Sequence, residues 1–147
     1  MPLSGESLGA HAVAFDPHND LAVLRVPGLS ARPLATAAPQ RGTAVAILGY
    51  PGNGPFDVVA GRIGDTASVI SEDAYGRGPI LRTVTSFSGK VRHGNSGGPA
   101  IDARGAVEVT VFAARADGRG GFGVPTSLVR RALASTRGSV STGPCAP

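Results

Sequence analysis

Apolar positions in this chain come in short runs, many of them alternating with small or polar residues, and turn formers interrupt the pattern every few residues. HAVAF and LAVLRV, within Ala10 to Val26, read as two short strands, and the polar run DPHND between them reads as a turn. Pro27 to Gln40 is rich in Pro, Ala and Ser and reads as a connector. TAVAILG (Thr43 to Gly49) is a buried strand, followed by the loop YPGNGPF. Further strands are predicted over Asp57 to Ile63, Ala67 to Ile70, Ile80 to Thr85, Gly98 to Ile101, Val107 to Ala113 and Gly121 to Pro125. Helical spacing occurs once, in SLVRRALA (Ser127 to Ala134), with Thr126 as its expected cap. The polar, breaker-rich stretch from Ser135 to Pro147 is expected to be loose. Many short strands with one terminal helix predict an all-β barrel or sandwich.

Composition narrows the class. A length of 147 residues fits one domain with a core of its own, and 22 Gly and 12 Pro suit tight turns between strands. Only 16% of residues are charged, too few for a solvated disordered chain. The net charge of +4 comes almost wholly from scattered arginines, Lys90 being the only lysine; without clustered cations and interleaved aromatics, direct nucleic-acid recognition is excluded. The histidines and the single cysteine, Cys145, show no ligand spacing, so neither a metal nor another cofactor is expected. MPLSGESLGA has neither a basic start nor an apolar run, and no stretch reaches membrane-spanning length. On those grounds alone the chain reads as cytoplasmic, provided that Met1 is a true start.

The chemistry is concentrated in VRHGNSGGPAID (Val91 to Asp102). A serine hydroxyl is a weak nucleophile and needs a base and donors for the oxyanion that forms on its target. In Gly94-Asn95-Ser96-Gly97-Gly98-Pro99 the glycines let the backbone turn tightly, and the amides of Gly94 and Ser96 are the candidate donors. The bland alternative is an ordinary Gly-rich turn before a strand. GYPGNGP lacks the G-K-[ST] ending of a phosphate loop.

These residues resemble the chymotrypsin-like serine proteases, particularly the bacterial high-temperature-requirement (HtrA/Deg) enzymes. DPHNDLAVLRV is similar to that family's catalytic-aspartate segment, with Asp20 at the acid position. RGTAVAILGYPGNGPF resembles the opening of its second barrel, and GFGVPTSLVRRAL its closing strand and helix. The ending STGPCAP, with no sign of a PDZ domain, is more similar to the membrane-anchored periplasmic acid-resistance proteases with a colicin-V-type membrane domain. The resemblance implies two perpendicular six-stranded barrels with the active site between them. Residues 1–32 would supply the end of the first barrel, 33–134 a complete second barrel with the closing helix, and 135–147 a tail. It also implies an envelope location and a polypeptide substrate. Val111, Phe112 and Ala113 would pair with a bound peptide, Gly121, Phe122 and Gly123 would form a pocket wall, and Lys90 would lie near the pocket's other side. Asn95 stands where trypsin-type enzymes carry an aspartate that pairs with a new N-terminus, which argues against arming by cleavage.

A working triad also needs an imidazole between acid and nucleophile. The family places it upstream of the aspartate in a motif such as T-x-x-H-V, and none precedes Asp20 here. His11 reads as an exposed strand residue, His18 as an exposed turn residue, and His93 as a loop residue pointing away from Ser96. The expectation is a chain that begins within the first barrel, with Cys145 paired to a segment lying upstream. Such a chain would expose strand edges and associate or express poorly. Asp16 and Asp102 read as turn residues. Two functions follow: a serine endopeptidase inactive without its histidine segment, or a non-catalytic remnant that keeps a peptide groove.

Overall fold

The computed structural model describes residues 7–144. Two antiparallel strands come first, β1 (His11–Asp16) and β2 (Leu21–Arg25), forming a sheet of their own. Their turn is built by Asp16, whose Oδ1 accepts from the Asn19 amide at 3.1 Å and whose Oδ2 accepts from Asn19 Nδ2 at 2.6 Å. This is the short-range side-chain turn that Asp favours. It leaves Asp20 at φ 53°, the left-handed region that Asp tolerates better than most residues.

Six further strands close a barrel. They are β3 (Ala44–Gly49), β4 (Asp57–Ser71), β5 (Ile80–Ser88), β6 (Pro99–Ile101), β7 (Val107–Ala114) and β8 (Gly120–Pro125), in the spatial order β3-β4-β5-β8-β7-β6. The helix α1 (Thr126–Ala134) follows and packs against both the hairpin and the barrel. Alternating side chains point inward and make one core of Val45, Ile47, Ile63, Phe87, Val91, Ala100, Val109 and Val111. Burying each of the larger ones contributes on the order of 1.5–3 kcal/mol. The connector after β2 docks on this barrel by a parallel bridge, Ala37 N–H donating to Val107 O at 2.9 Å and Val107 N–H to Ala35 O at 2.8 Å. The architecture is therefore all-β with one complete barrel, a partial second sheet and a C-terminal helix.

Two details differ from the sequence expectation. The strands expected over Asp57 to Ile63 and Ala67 to Ile70 are one continuous strand of 15 residues. Its register shifts between Ile63 and Thr66, where Ser86 Oγ accepts from Asp65 N–H and donates to Asp65 O, so a bulge absorbs the apparent break. Thr126 does not cap the helix. It is the first helical residue, preceded by Pro125, and its hydroxyl donates to Ala37 O at 2.5 Å, fastening the helix start to the connector. After α1, residues through 144 adopt no regular element, yet Val140 N–H donates to Ala12 O at 2.9 Å and the Tyr75 hydroxyl donates to Thr142 O. Cys145 lies outside the described residues.

Candidate active site

The segment between β5 and β6 is a double turn pinned from both sides. On the barrel side, Gly97 N–H donates to Val111 O at 2.8 Å and Val111 N–H to Gly98 O at 2.9 Å. On the other side, Tyr50 N–H donates to Gly94 O at 3.3 Å and Gly52 N–H to His93 O at 2.7 Å. Asn95 is the plug. It is 1% exposed, its Oδ1 accepts from Arg92 N–H at 3.1 Å, and its Nδ2 has no partner among the described residues. Gly94 adopts φ 95°, and a Cβ there would collide with the Tyr50 carbonyl, so the turn needs glycine at that point.

With Asn95 turned inward, Ser96 is exposed, and its hydroxyl donates to Phe112 O at 3.4 Å. Neither Gly94 N–H nor Ser96 N–H has an acceptor among the described residues. The His93 carbonyl is held by Gly52, so across that trans peptide the Gly94 N–H points away from the 50–54 loop.

Asp20 and Ser96 line the same cleft, of about 290 Å³, with Leu21, Ala22, Gly97, Thr110, Val111, Phe112 and Val124. The hairpin thus brings the sequence-named acid to the sequence-named nucleophile across 76 positions of chain (96 less 20). None of the three histidines lines the cleft. His11 is exposed at the start of β1, His18 Nε2 is 2.7 Å from Leu81 O, and His93 is exposed beside Gly94. A larger cleft of about 520 Å³ runs between the β4 bulge and the β7–β8 turn, lined by Arg41, Arg62, Arg115 and Arg119 together with Asp65 and Asp117; it contains neither Asp20 nor Ser96.

The remaining sequence-named residues divide. Val111 and Phe112 reach the cleft, and Ala113 continues β7 beyond it. Gly121, Phe122 and Gly123 lie on β8 alongside, with Val111 opposite Gly123 and Ala113 opposite Phe122. They do not border the cleft. The ring of Phe87 packs against Gly121, where a Cβ would come within 2.8 Å of it. Asp102 is a turn residue as expected. Its carboxylate accepts from Ala106 N–H at 2.9 Å and from Arg104 N–H at 2.8 Å, and pairs with the Arg104 guanidinium at 2.9 Å. The backbone donor of Ala106 does most to hold this carboxyl below the ordinary aspartate range, and the Arg104 side chain adds to it.

Arg82 was not singled out by the sequence reading. It is 5% exposed, and its guanidinium lies 4.3 Å from the Phe112 ring centroid. Burial lowers its pKa, opposed by the charges of Asp20 and Asp16. The signal was present: in ILRTVT, Arg82 shares the inward parity of Val84, while Leu81 points out and is 65% exposed.

A closed six-stranded barrel whose β5–β6 turn presents a serine beside a carboxylate-bearing hairpin is the second barrel of a chymotrypsin-like fold. The chain belongs to the trypsin-like peptidase family, whose sequence model, described as "Trypsin-like peptidase domain", matches residues 2–108. It is 39% identical over 142 residues to serine protease Rv3671c of Mycobacterium tuberculosis (strain ATCC 25618 / H37Rv), covering 92% of this chain and 36% of that protein. It therefore spans about a third of the length of the curated relatives it matches. The crystal structure of the Rv3671c protease in its active form superposes with a TM-score of 0.87 at 36% identity, covering 95% of this chain and 64% of that one. The inactive form of that protease gives 0.75, covering 89% of this chain and 68% of that one. The HtrA-type protease AlgW with decapeptide shares the fold, at a TM-score of 0.76 and 24% identity, over 90% of this chain and 42% of that one.

Proposed function

We propose that this chain carries the nucleophile and acid of a serine endopeptidase. Ser96 is the nucleophile, the Gly94 and Ser96 amides are the oxyanion donors, and Asp20 orients the base. The observation that carries the reading is the common cleft: Asp20 and Ser96 face it together, beside two backbone amides with no acceptor among the described residues. The greater likeness to the active than to the inactive form of the mycobacterial relative supports the same reading.

In the reaction, Ser96 Oγ attacks the peptide carbonyl carbon while an imidazole takes its proton. The carbonyl oxygen becomes an oxyanion held by the two amides. The imidazole returns the proton to the leaving amine, and water then releases the acyl group from Ser96. A substrate strand lying along Val111 to Ala113 would be bound chiefly through its backbone, with Gly121 to Gly123 as the neighbouring wall. The imidazole must enter the cleft from outside these residues, because His11, His18 and His93 all stand elsewhere. An envelope location and a membrane-anchored parent protein belong to the same proposal, from the family resemblance; a disulfide from Cys145 to a further segment joins it on the odd cysteine count. Among the described residues no helix is long and apolar enough to cross a membrane.

The test is fluorophosphonate labelling with and without free imidazole at about 0.1 M, a general base supplied in solution. Negligible labelling alone, labelling with imidazole, and none in Ser96→Ala are expected. Labelling that persists in Ser96→Ala, or no labelling of the parent chain with imidazole, overturns the assignment. The histidine-free cleft favours a second reading, a peptide-binding groove without catalysis, which predicts that last result together with binding of a product peptide along β7.

A further inference from the structure

We infer that Arg82 is a positioning residue that seats the Asp20 hairpin against the nucleophile turn. The inference rests on the protease reading for what the seating serves, though not for the seating itself. Arg82 stands on β5 of the barrel, and its Nη2 donates to Asn19 O at 2.7 Å. That carbonyl belongs to the peptide leading into Asp20, the residue held at φ 53°, so the bond constrains the acid's own backbone. Nη1 donates to Glu72 O at 3.3 Å, joining the β4–β5 loop to the same point. The guanidinium lies over the Phe112 ring, and the Phe112 carbonyl accepts the Ser96 hydroxyl. One side chain therefore touches the acid's peptide on one side and, on the other, the residue that contacts the nucleophile.

The choice of arginine is informative. A buried cation is retained at a desolvation penalty, and apolar residues of similar size usually fill such a site at least as well. Among the described residues no carboxylate is within ion-pair distance of Arg82, and its Nε has no partner. Its bonds go to two main-chain carbonyls, and a planar fork stacked on an aromatic ring suits that task better than an ammonium. The charges of Asp20 and Asp16, both on the hairpin, favour the charged form of Arg82, so its charge favours the seated hairpin over a displaced one. His18, in the turn of this hairpin, bonds to Leu81 O, beside Arg82 on the chain.

The test is hydrogen exchange on the 147-residue chain and its Arg82→Met and Arg82→Lys variants, read separately for residues 16–25 and for the barrel strands. Arg82→Met is expected to speed exchange in the hairpin about tenfold, as loss of charge-assisted hydrogen bonds does, with the barrel unchanged within about twofold. Arg82→Lys should restore part of the protection, and the Ser96 amide resonance should move in the methionine variant and return partway in the lysine variant. If Arg82→Met does not fold, Arg82→Gln, which keeps two donors, takes its place in the same comparison. Loss of protection in hairpin and barrel together would mean ordinary core packing, and an unchanged hairpin would mean no clamp; either result overturns the inference. Fluorophosphonate labelling of the unsubstituted chain with imidazole separates the two claims. An unlabelled parent whose hairpin is released by Arg82→Met leaves the clamp standing and the protease reading fallen.

Discussion

The Ser96 hydroxyl meets the Phe112 carbonyl across 3.4 Å, and that contact links the β5–β6 turn to β7 within the cleft. Phe112 lies at the irregularity in the β7–β8 ladder between Val111 and Ala113. Such a bulge re-aims a carbonyl that regular pairing would direct along the sheet. The site therefore depends on local backbone exceptions, and those are where substitutions discriminate.

Gly94 and Gly97 both have positive φ, 95° and 80°, but their surroundings differ. A Cβ on Gly94 would run into the Tyr50 carbonyl, whereas one on Gly97 meets nothing within 4 Å. Gly97→Ala should lose about 1 kcal/mol, the penalty for a left-handed alanine. Gly94→Ala adds a backbone collision to comparable strain and should lose roughly 2–4 kcal/mol. Urea denaturation of the two variants checks the ranking.

Asn95→Asp tests the plug. No cation pairs with this position among the described residues, and Asn95 is 1% exposed. A carboxylate there should destabilise the chain by about 3 kcal/mol at pH 7. Burial raises the folded-state pKa of the new carboxyl above its unfolded value of about 3.9. The penalty is then absent below pH 4 and grows as the pH rises, so the variant's urea midpoint should approach the parent's in acid.

Asp102 gives the opposite slope. Its carboxyl is held below the ordinary range by the Ala106 amide first and the Arg104 side chain next. The stability it contributes is fully present above its unfolded pKa of about 3.9 and is lost as the pH falls through the lower folded value. Asp102→Asn should therefore lie furthest below the parent above pH 5, the gap closing in acid; denaturation midpoints across that window check it.

The hairpin offers apolar surface. β1 and β2 pair only with each other among the described strands, and Leu24 on β2 is 58% exposed. An open edge with an exposed leucine favours self-association. Light scattering should show a concentration-dependent mass for the parent chain, and Leu24→Lys should shift it towards the monomer.

Most of the barrel was legible because its signals are local. Alternation in AVAILG and the Asp-Pro turn identify β3 and the hairpin, and six consecutive residues around Ser96 identify the turn that presents it. The bulge at Gly64–Asp65 was not legible, since it depends on Ser86 from another strand. Thr126 has the composition of a cap, but a tertiary partner, Ala37, takes its hydroxyl. The cleft itself arises from pairing two segments 76 positions apart, which spacing cannot reveal. Only the family resemblance linked Asp20 to Ser96, and it gave no hint of the arginine between them.

A peptidyl boronic acid tests the oxyanion claim most directly, because its boron accepts a serine oxygen and becomes a tetrahedral anion. The prediction, with imidazole at about 0.1 M to take the serine proton, is a boron resonance that moves from trigonal to tetrahedral on binding, with the amide protons of Gly94 and Ser96 shifting downfield and all of it lost in Ser96→Ala. Boron that stays trigonal, or an adduct that forms while both amides keep their resonances, would contradict the account.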